Sequence, residues 1–390
     1  MRRRSLLEAL AVGGLGLAVA PGALAVDDVA PRLVVVILRG GLDGLALAPP
    51  HGDPGYRSVR GGLALPAPGT EGGIVDLDGT FGLHPALAPL APLYGQGELV
   101  VVHAASVPYD RRSHFDGQDV LENGTAIPFG ERTGWLSRAL ALSEEAPAAL
   151  AVGRTIPLLL RGPARAASAD LTRRPRTDPW LQRVQQLYLD DPQLGPALEE
   201  GLEIQALLAR HGAGASLGRR RSSLETELEG VAQLLGALDG PRTVVLEVGG
   251  WDTHTGQLTS LSRQLERLAL GMIALKRASE PGVWRRTVVL VVTEFGRTVR
   301  PNGTGGSDHG VGGAALLLGG AVAGGRIVTD WPGLSEPRLL AGRDLRPTTD
   351  LRGVFKGVLH DHLGVPSGAL EDTVFPGSGS IPRVGGLVRG

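Results

Sequence analysis

Five short, nearly continuous apolar runs constrain the fold of this 390-residue chain more than any other feature. Each run is rich in Val, Leu or Ile, and none shows strict alternation of apolar and polar side chains; the runs are 33–38, 99–102, 244–248, 288–292 and 316–318. Because strands that are covered on both faces are apolar throughout, this pattern is typical of a buried parallel sheet. The sequence therefore predicts an α/β fold with a doubly wound, mostly parallel sheet flanked by helices.

Helical patterns occupy the stretches between the runs. Residues 258–277 have helical spacing and lie between the third and fourth runs, which gives the order strand, helix, strand. A polar stretch from about 178 to 238 has helical periodicity and no candidate strand, so we interpret it as a helical segment packed beside the sheet. Stretches rich in Gly and Pro at 52–73 and 364–390 predict long loops.

The first 25 residues have the parts of an export signal. A basic start precedes an apolar stretch, and the small residues 23–25 form a cleavage site. Residues 3–7, RRSLL, resemble the twin-arginine motif. We therefore expect 1–25 to be a twin-arginine signal peptide and 26–390 to be one domain, periplasmic or secreted, without a stable membrane span. The alternative is an uncleaved membrane anchor, for which the apolar stretch is short and interrupted by Gly.

Composition argues against several classes of function. The chain has 39 basic and 40 acidic side chains, so no global field attracts nucleic acid, and we expect no nucleic-acid partner. It has no Cys, which excludes disulfides, thiolate nucleophiles and sulfur-bound metals. Any metal ion must therefore bind through carboxylate and imidazole. An aromatic content of 4% argues against a carbohydrate-active surface protein with sugar-stacking platforms.

Acidic and imidazole residues follow almost every apolar run, where ligands collect in open α/β sheets. Each one alone has an ordinary explanation, because Asp often caps helices and His often forms structural hydrogen bonds. Their repetition instead predicts a site for one or two divalent cations. Zinc accepts His together with carboxylate, whereas magnesium, manganese and calcium prefer oxygen. The candidate ligands are Asp43, Asp252, His254, Glu294, Asp308 and His309.

Ser113 is the candidate nucleophile, in the motif RRSHFDG at the start of a predicted helix over 115–123. A Ser at this position can simply cap the helix. The same position also suits catalysis, because the helix N-terminus and the preceding Arg112 would stabilise an anion and a metal would lower the hydroxyl pKa. His114 is a candidate general base or ligand, and Arg297 is a second candidate for binding an anion.

Six stretches resemble a family of exported bacterial proteins, the domain of unknown function 1501, over essentially the whole mature chain. They are LVVVILRGGLDGL, FGLHPALAPLAPLYGQGELVVVHA, RRSHFDGQDVLENG, VGGWDTHTGQL, TEFGRTVRPNGTGGSDHG and TDWPGL. That family is similar in fold to the alkaline phosphatase and sulfatase superfamily, whose members hold one or two metal ions and form a covalent intermediate on Ser, Thr or a modified Cys. The resemblance implies an alkaline-phosphatase-like fold and an exported hydrolase of phosphate or sulfate esters, small or polymeric.

Residue by residue, the resemblance implies that Asp43 is a metal ligand after the first strand and that Ser113 is the nucleophile. Asp252 and His254 would belong to one metal centre, with His309 as its further His.

The chain departs from the superfamily pattern after the apolar run 288–292. The superfamily usually has Asp-His there, and this chain has Glu294-Phe295. A metal ligand is therefore missing or displaced to Asp308. This departure favours an alternative function, a non-catalytic metal- or ligand-binding protein of the same fold in the cell envelope, because function depends on the site and not on the fold.

Overall fold

The computed structural model describes residues 30–143, 147–171, 194–210 and 224–390, with a few residues between 183 and 192. The predicted signal peptide and part of the predicted helical segment lie outside the described residues. The strands are β1 (Arg32–Arg39), β2 (Val75–Asp76), β3 (Gly82–Leu83), β4 (Leu99–Ser106), β5 (Ala149–Val152), β6 (Ala166–Ala169), β7 (Thr243–Gly249), β8 (Thr287–Val292), β9 (Gly313–Leu318), β10 (Arg326–Val328) and β11 (Thr349–Asp350).

Helices connect these strands. They are α1 (Gly44–Leu47), α2 (Tyr56–Arg60), α3 (Ala91–Gly95), α4 (His114–Asn123), α5 (Trp135–Leu140), α6 (Leu194–Arg210), α7 (Leu224–Gly236), α8 (Gln257–Ala278), α9 (Pro281–Arg285), α10 (Leu351–Leu363) and α11 (Ser367–Ala369). Helices α6 and α7 lie in the segment predicted to be helical. Within the described ranges, no helix is both long and apolar enough to cross a membrane.

One large sheet contains all the predicted strands. Its order is β10-β4-β9-β8-β1-β7-β5-β6, and β11 also pairs with β4. Every pairing in this sheet is parallel except those of β9, which is antiparallel to β4 and β8. The five apolar runs fall in β1, β4, β7, β8 and β9, so the predicted mostly parallel sheet flanked by helices is confirmed. The chain reverses between β8 and β9 through a loop instead of a crossover helix, which makes β9 antiparallel.

Both faces of the sheet are buried against helices. On β1, Val34 and Val36 face a layer that contains α7 and α8, whereas Leu33 and Val35 face a layer that contains α4, α5 and α10. Full burial of a Val or Leu side chain contributes about 1.5–3 kcal/mol. The two layers therefore hold the strands in place, and with them the residues that follow the strand ends. Four parallel strands, β1, β4, β7 and β8, run in one direction and β9 runs in the other. The carboxyl ends of the four strands and the start of β9 therefore lie on the same side of the sheet, which we call the carboxyl edge.

Candidate metal centre

Three segments at the carboxyl edge of the sheet bring His114, Asp252 and His309 together, with one ligand atom of each within 4.8 Å of the others. His114 begins α4, Asp252 follows β7, and His309 lies between β8 and β9. The Nε2 atom of His309 is 3.0 Å from Nε2 of His114 and 3.3 Å from Oδ1 of Asp252. Ligands of a tetrahedral zinc ion stand roughly 3.3 Å apart, given metal–ligand distances of about 2.0–2.1 Å. The spacing therefore fits one cation.

His254 borders the same group. Its Nε2 atom is 3.0 Å from Oδ1 of Asp252 and 3.0 Å from Nε2 of His309. The side chains of Asp252 and His254 are 45% and 41% exposed, so the group is open to solvent on this side. Gly250, with a φ of 97°, provides the bend after β7 that a residue with a side chain rarely adopts. His254 is therefore the fourth candidate ligand, and we call these four residues the His/Asp cluster.

Each imidazole of the His/Asp cluster has an oxygen partner at its other nitrogen, Nδ1. The pairs are His114 with Glu294 Oε1 at 2.8 Å, His254 with Asp308 Oδ1 at 3.2 Å, and His309 with the carbonyl oxygen of Arg112 at 2.9 Å. Carboxylate and carbonyl oxygens only accept, so we assign the proton of each neutral ring to Nδ1. The three Nε2 lone pairs then converge beside the Asp252 carboxylate. Metal-bound histidines have this arrangement, with the second nitrogen donating to a carboxylate or carbonyl.

Glu294 lies behind His114 and orients it. The side chain is fully buried, and its Oε1 also accepts hydrogen bonds from the Gly40 amide at 2.8 Å and from Gln118 Nε2 at 3.1 Å. Burial alone would raise the pKa of Glu294, but the hydrogen bonds from His114 and Gln118 hold this pKa below its usual value. The structure thus places Glu294 as an anionic partner of a candidate ligand and not in the His/Asp cluster itself.

Arg297 connects the loops that carry the cluster. Burial favours the neutral form of Asp252, but the hydrogen bond and charge of Arg297 outweigh burial and lower the pKa of Asp252. Each guanidinium nitrogen of Arg297 has an internal partner, and the side chain is buried. In this arrangement Arg297 binds groups of the protein, and its predicted binding of an external anion stays a prediction. Its acceptors are the Asp252 carboxylate and the carbonyl oxygens of Gly40, Gly41, Trp251 and Ser307.

Asp43 follows β1, as expected, but its carboxylate is already paired. Oδ1 accepts a hydrogen bond from the amide of Ala46 and caps α1, while Oδ2 accepts from Arg60 and Gln257, each at 2.5 Å. Asp43 and Arg60 are 1% and 0% exposed. Among the described residues, Asp43 is not one of those whose ligand atoms meet at the centre. Both carboxylate oxygens of Asp43 thus bind groups of the protein, and its predicted role as a metal ligand stays a prediction.

The segment before α4 positions His309 and Ser113. Arg112 has a φ of 63°, in the left-handed region, and this turns its carbonyl oxygen toward His309. Its guanidinium binds buried Asp344 at 2.6 Å, and its side chain remains 32% exposed, so its predicted binding of an anion stays a prediction. Ser113 is the N-cap of α4, where its Oγ accepts a hydrogen bond from the Asp116 amide at 3.5 Å, a long and weak contact.

Two supporting residues escaped the sequence analysis. Gln118 donates to Glu294. It follows His114 by four residues, a spacing that predicts that both side chains lie on the same face of the helix. Asn302 donates to Asp308 at 3.1 Å, and this bond is the main reason why the pKa of Asp308 is lowered. The position of Asn302 depends on the path of a Gly-rich loop, which local sequence does not reveal.

Comparison with known proteins identifies the family. The sequence matches the family described as "Protein of unknown function (DUF1501)" over residues 106–374. No curated protein matches it significantly.

Several solved structures are similar to this one at low sequence identity. The structure of Ps i-CgsB in complex with k-i-k-neocarrahexaose is 11% identical, with a TM-score of 0.42 and coverage of 86% of this chain and 72% of that chain. The C-terminal periplasmic domain of EcEptC from Escherichia coli, in complex with Zn, is 9% identical, with a TM-score of 0.34 and coverage of 74% and 73%. A protein in the alkaline phosphatase superfamily from Vibrio parahaemolyticus is 12% identical, with a TM-score of 0.34 and coverage of 74% and 60%.

Proposed function

The chain belongs to the DUF1501 family, and we propose that it is an exported, metal-dependent hydrolase of phosphate or sulfate esters. The observation that carries the proposal is the convergence of three imidazole Nε2 atoms beside Asp252, each ring with an oxygen partner at Nδ1. Without a cation, these lone pairs and the carboxylate repel one another. A set of imidazoles with one carboxylate suits zinc better than magnesium or calcium.

The residues present fit such an ion. His114, Asp252 and His309 would hold it, and His254 is the further candidate. When bound, a zinc-class ion supplies Lewis acidity that polarises an ester oxygen. Arg297 keeps Asp252 anionic, and Glu294 holds the ring of His114 in place. These two partners preorganise the site before an ester arrives.

Ser113 is the proposed nucleophile because it directly precedes His114 at the N-terminus of α4. The unpaired amides of the first helical turn favour negative charge at this position. Arg111 is exposed in the same segment and can attract the ester anion from solvent. Phe115 is 86% exposed in the first turn of α4, where it can contact the organic part of a small or polymeric ester.

Two substitutions of Ser113 test the nucleophile. Ser113→Ala removes both the hydroxyl and the helix cap, whereas Ser113→Asn removes the hydroxyl and keeps a good cap. With p-nitrophenyl phosphate and p-nitrophenyl sulfate as probes, both variants should lose turnover while retaining their metal. Only the Ala variant should lose unfolding free energy, about 0.5 kcal/mol, because the cap contact is long. Turnover at the wild-type rate by Ser113→Asn would exclude Ser113 as the nucleophile, and a wild type inactive on a broad panel of such esters would contradict the hydrolase.

A second function, non-catalytic binding of a metal ion or ligand in the cell envelope, is favoured by one observation. Arg112 and Arg297, the two predicted anion-binding groups, have internal partners. If this function is correct, the protein will retain its metal ion but will not hydrolyse esters. Hydrolysis that depends on Ser113 would exclude it.

Export by the twin-arginine machinery to the periplasm or beyond is part of the proposal, and it rests on residues 1–25. Arg3→Lys with Arg4→Lys should leave the protein in the cytoplasm of cells that express the full chain. Unchanged location in cell fractions would contradict this route.

A further inference from the structure

A second group of charged side chains lies near the His/Asp cluster and is closed to solvent. Asp43 and Arg60 form an ion pair through Oδ2 and Nη2 at 2.5 Å, and neither is more than 1% exposed. The resemblance to metal-dependent hydrolases implies a metal ligand at Asp43. The structure instead provides a guanidinium at the carboxylate.

Arg60 is held in this position from two directions. It is the last residue of α2, and its Nη1 also lies 3.4 Å and 3.3 Å from the carbonyl oxygens of Thr298 and Val299. A buried carboxylate is stable only when its charge is compensated. The guanidinium of Arg60 provides this compensation.

Neutral groups complete the surroundings of Asp43. The amide of Gln257 donates to Oδ2 at 2.5 Å, and its own oxygen accepts from Thr253 at 3.1 Å and from Ser307 at 2.5 Å. No further carboxylate or imidazole bonds to Asp43 among the described residues. A second ion would have to displace Arg60 and leave its charge buried without a partner.

We infer that the centre is mononuclear: one zinc-class ion binds at His114, Asp252 and His309, and the Arg60 guanidinium takes the place of a second ion at Asp43. The inference rests on the proposed metal centre and defines its stoichiometry. It predicts that the protein saturates at one ion per chain, without a weaker second site. Activation of the Ser113 hydroxyl as a nucleophile would then come from the helix N-terminus and one ion, without a second ion.

Elemental analysis of zinc-reconstituted, gel-filtered protein tests this inference. The wild type should contain one equivalent of zinc per chain. Asp43→Asn has the same shape without the charge and should retain that equivalent, whereas the matched variant Asp252→Asn should lose most of it. Circular dichroism establishes whether each variant is folded.

The outcomes separate the inference from the proposed function. Two equivalents in the wild type would overturn the mononuclear centre and leave the metal-dependent hydrolase standing. One equivalent that disappears in folded Asp43→Asn would also overturn it, because Asp43 would then be a ligand. If Asp43→Asn does not fold, the wild-type stoichiometry decides alone. No zinc in the wild type would overturn both the inference and the proposed metal dependence.

Discussion

At the scale of single residues, the site depends on the atoms behind the imidazoles as much as on the imidazoles themselves. Glu294, Asp308 and the carbonyl oxygen of Arg112 each accept from a different Nδ1. They decide which nitrogen carries the proton and therefore where the lone pairs point. Glu294 was predicted to be a ligand, and in the structure it lies behind His114 and accepts from its Nδ1.

We predict that Glu294→Gln lowers zinc affinity 10- to 100-fold, because the substitution keeps the shape of the side chain and removes the charge that holds His114. Competition with a chelator measures this affinity. Asp308→Asn is the matched control at His254, and it should have a smaller effect because Asp308 is about half exposed. Equal affinity of wild type and Glu294→Gln would show that the contact with His114 is not needed for metal binding.

Sequence reasoning located the candidate residues better than their partners. Asp252 and His254 follow an apolar run and His309 lies in the loop between the last two runs, so their approach to a common site could be predicted from the strand order. The ion pair of Asp43 with Arg60 could not, because Arg60 reaches it from a separate short helix. The carbonyl partners of Arg297 also belong to loops far apart in the chain, whose approach depends on the completed sheet.

At the scale of elements, Arg297 joins the loops after β1, β7 and β8. Its donors meet carbonyl oxygens from residues 40–41, 251 and 307 and the Asp252 carboxylate. Loops rich in Gly approach closely here; a Cβ on Gly296 would lie 2.0 Å from the carbonyl oxygen of Gly312. The geometry of the His/Asp cluster therefore depends on three loops that the guanidinium of Arg297 holds together.

We predict that Arg297→Lys destabilises the fold by about 3 kcal/mol or more, because an ammonium cannot reach all of these acceptors and leaves buried oxygens and Asp252 without partners. Urea unfolding measures the loss. Arg300→Lys, at an exposed position, should change the unfolding free energy by less than about 0.5 kcal/mol. A similar small change in both variants would contradict the connecting function of Arg297.

Element directions and small strands were harder to predict than the central strands. The run in β9 is as continuous as those of the parallel strands because β9 is buried on both faces, so composition does not reveal its direction. Strands β5 and β6 are short and rich in Ala, with sequences ALAV and AASA. Such segments carry little of the β-branched signal on which strand prediction depends.

At the scale of the whole molecule, the buried histidines make folding stability depend on pH. Burial lowers the pKa of His103 and of His84 to about 4. The imidazole of His103 lies within hydrogen-bond distance of the Ala48 carbonyl oxygen and the Ala104 amide, which suits the neutral ring. Between pH 4 and 6.5 the unfolded chain therefore binds more protons at these residues than the folded chain does.

We predict that stability is greatest above pH 6.5 at these two sites and falls as the pH decreases toward 4. Each buried His should contribute a loss on the order of 2 kcal/mol between pH 7 and pH 5. Urea unfolding at these two pH values measures it, and His103→Gln should reduce the difference even if it lowers stability overall. An unchanged difference in this variant would exclude His103 as a source of the pH dependence.

The metal centre itself is tested most directly by diffraction above the zinc absorption edge, with crystals grown in the presence of zinc. We expect one anomalous peak about 2.0–2.1 Å from the Nε2 atoms of His114 and His309, with an oxygen of Asp252 at similar distance. Asp43 should remain bound to Arg60. Zinc peaks elsewhere with none at the His/Asp cluster would contradict the proposed centre.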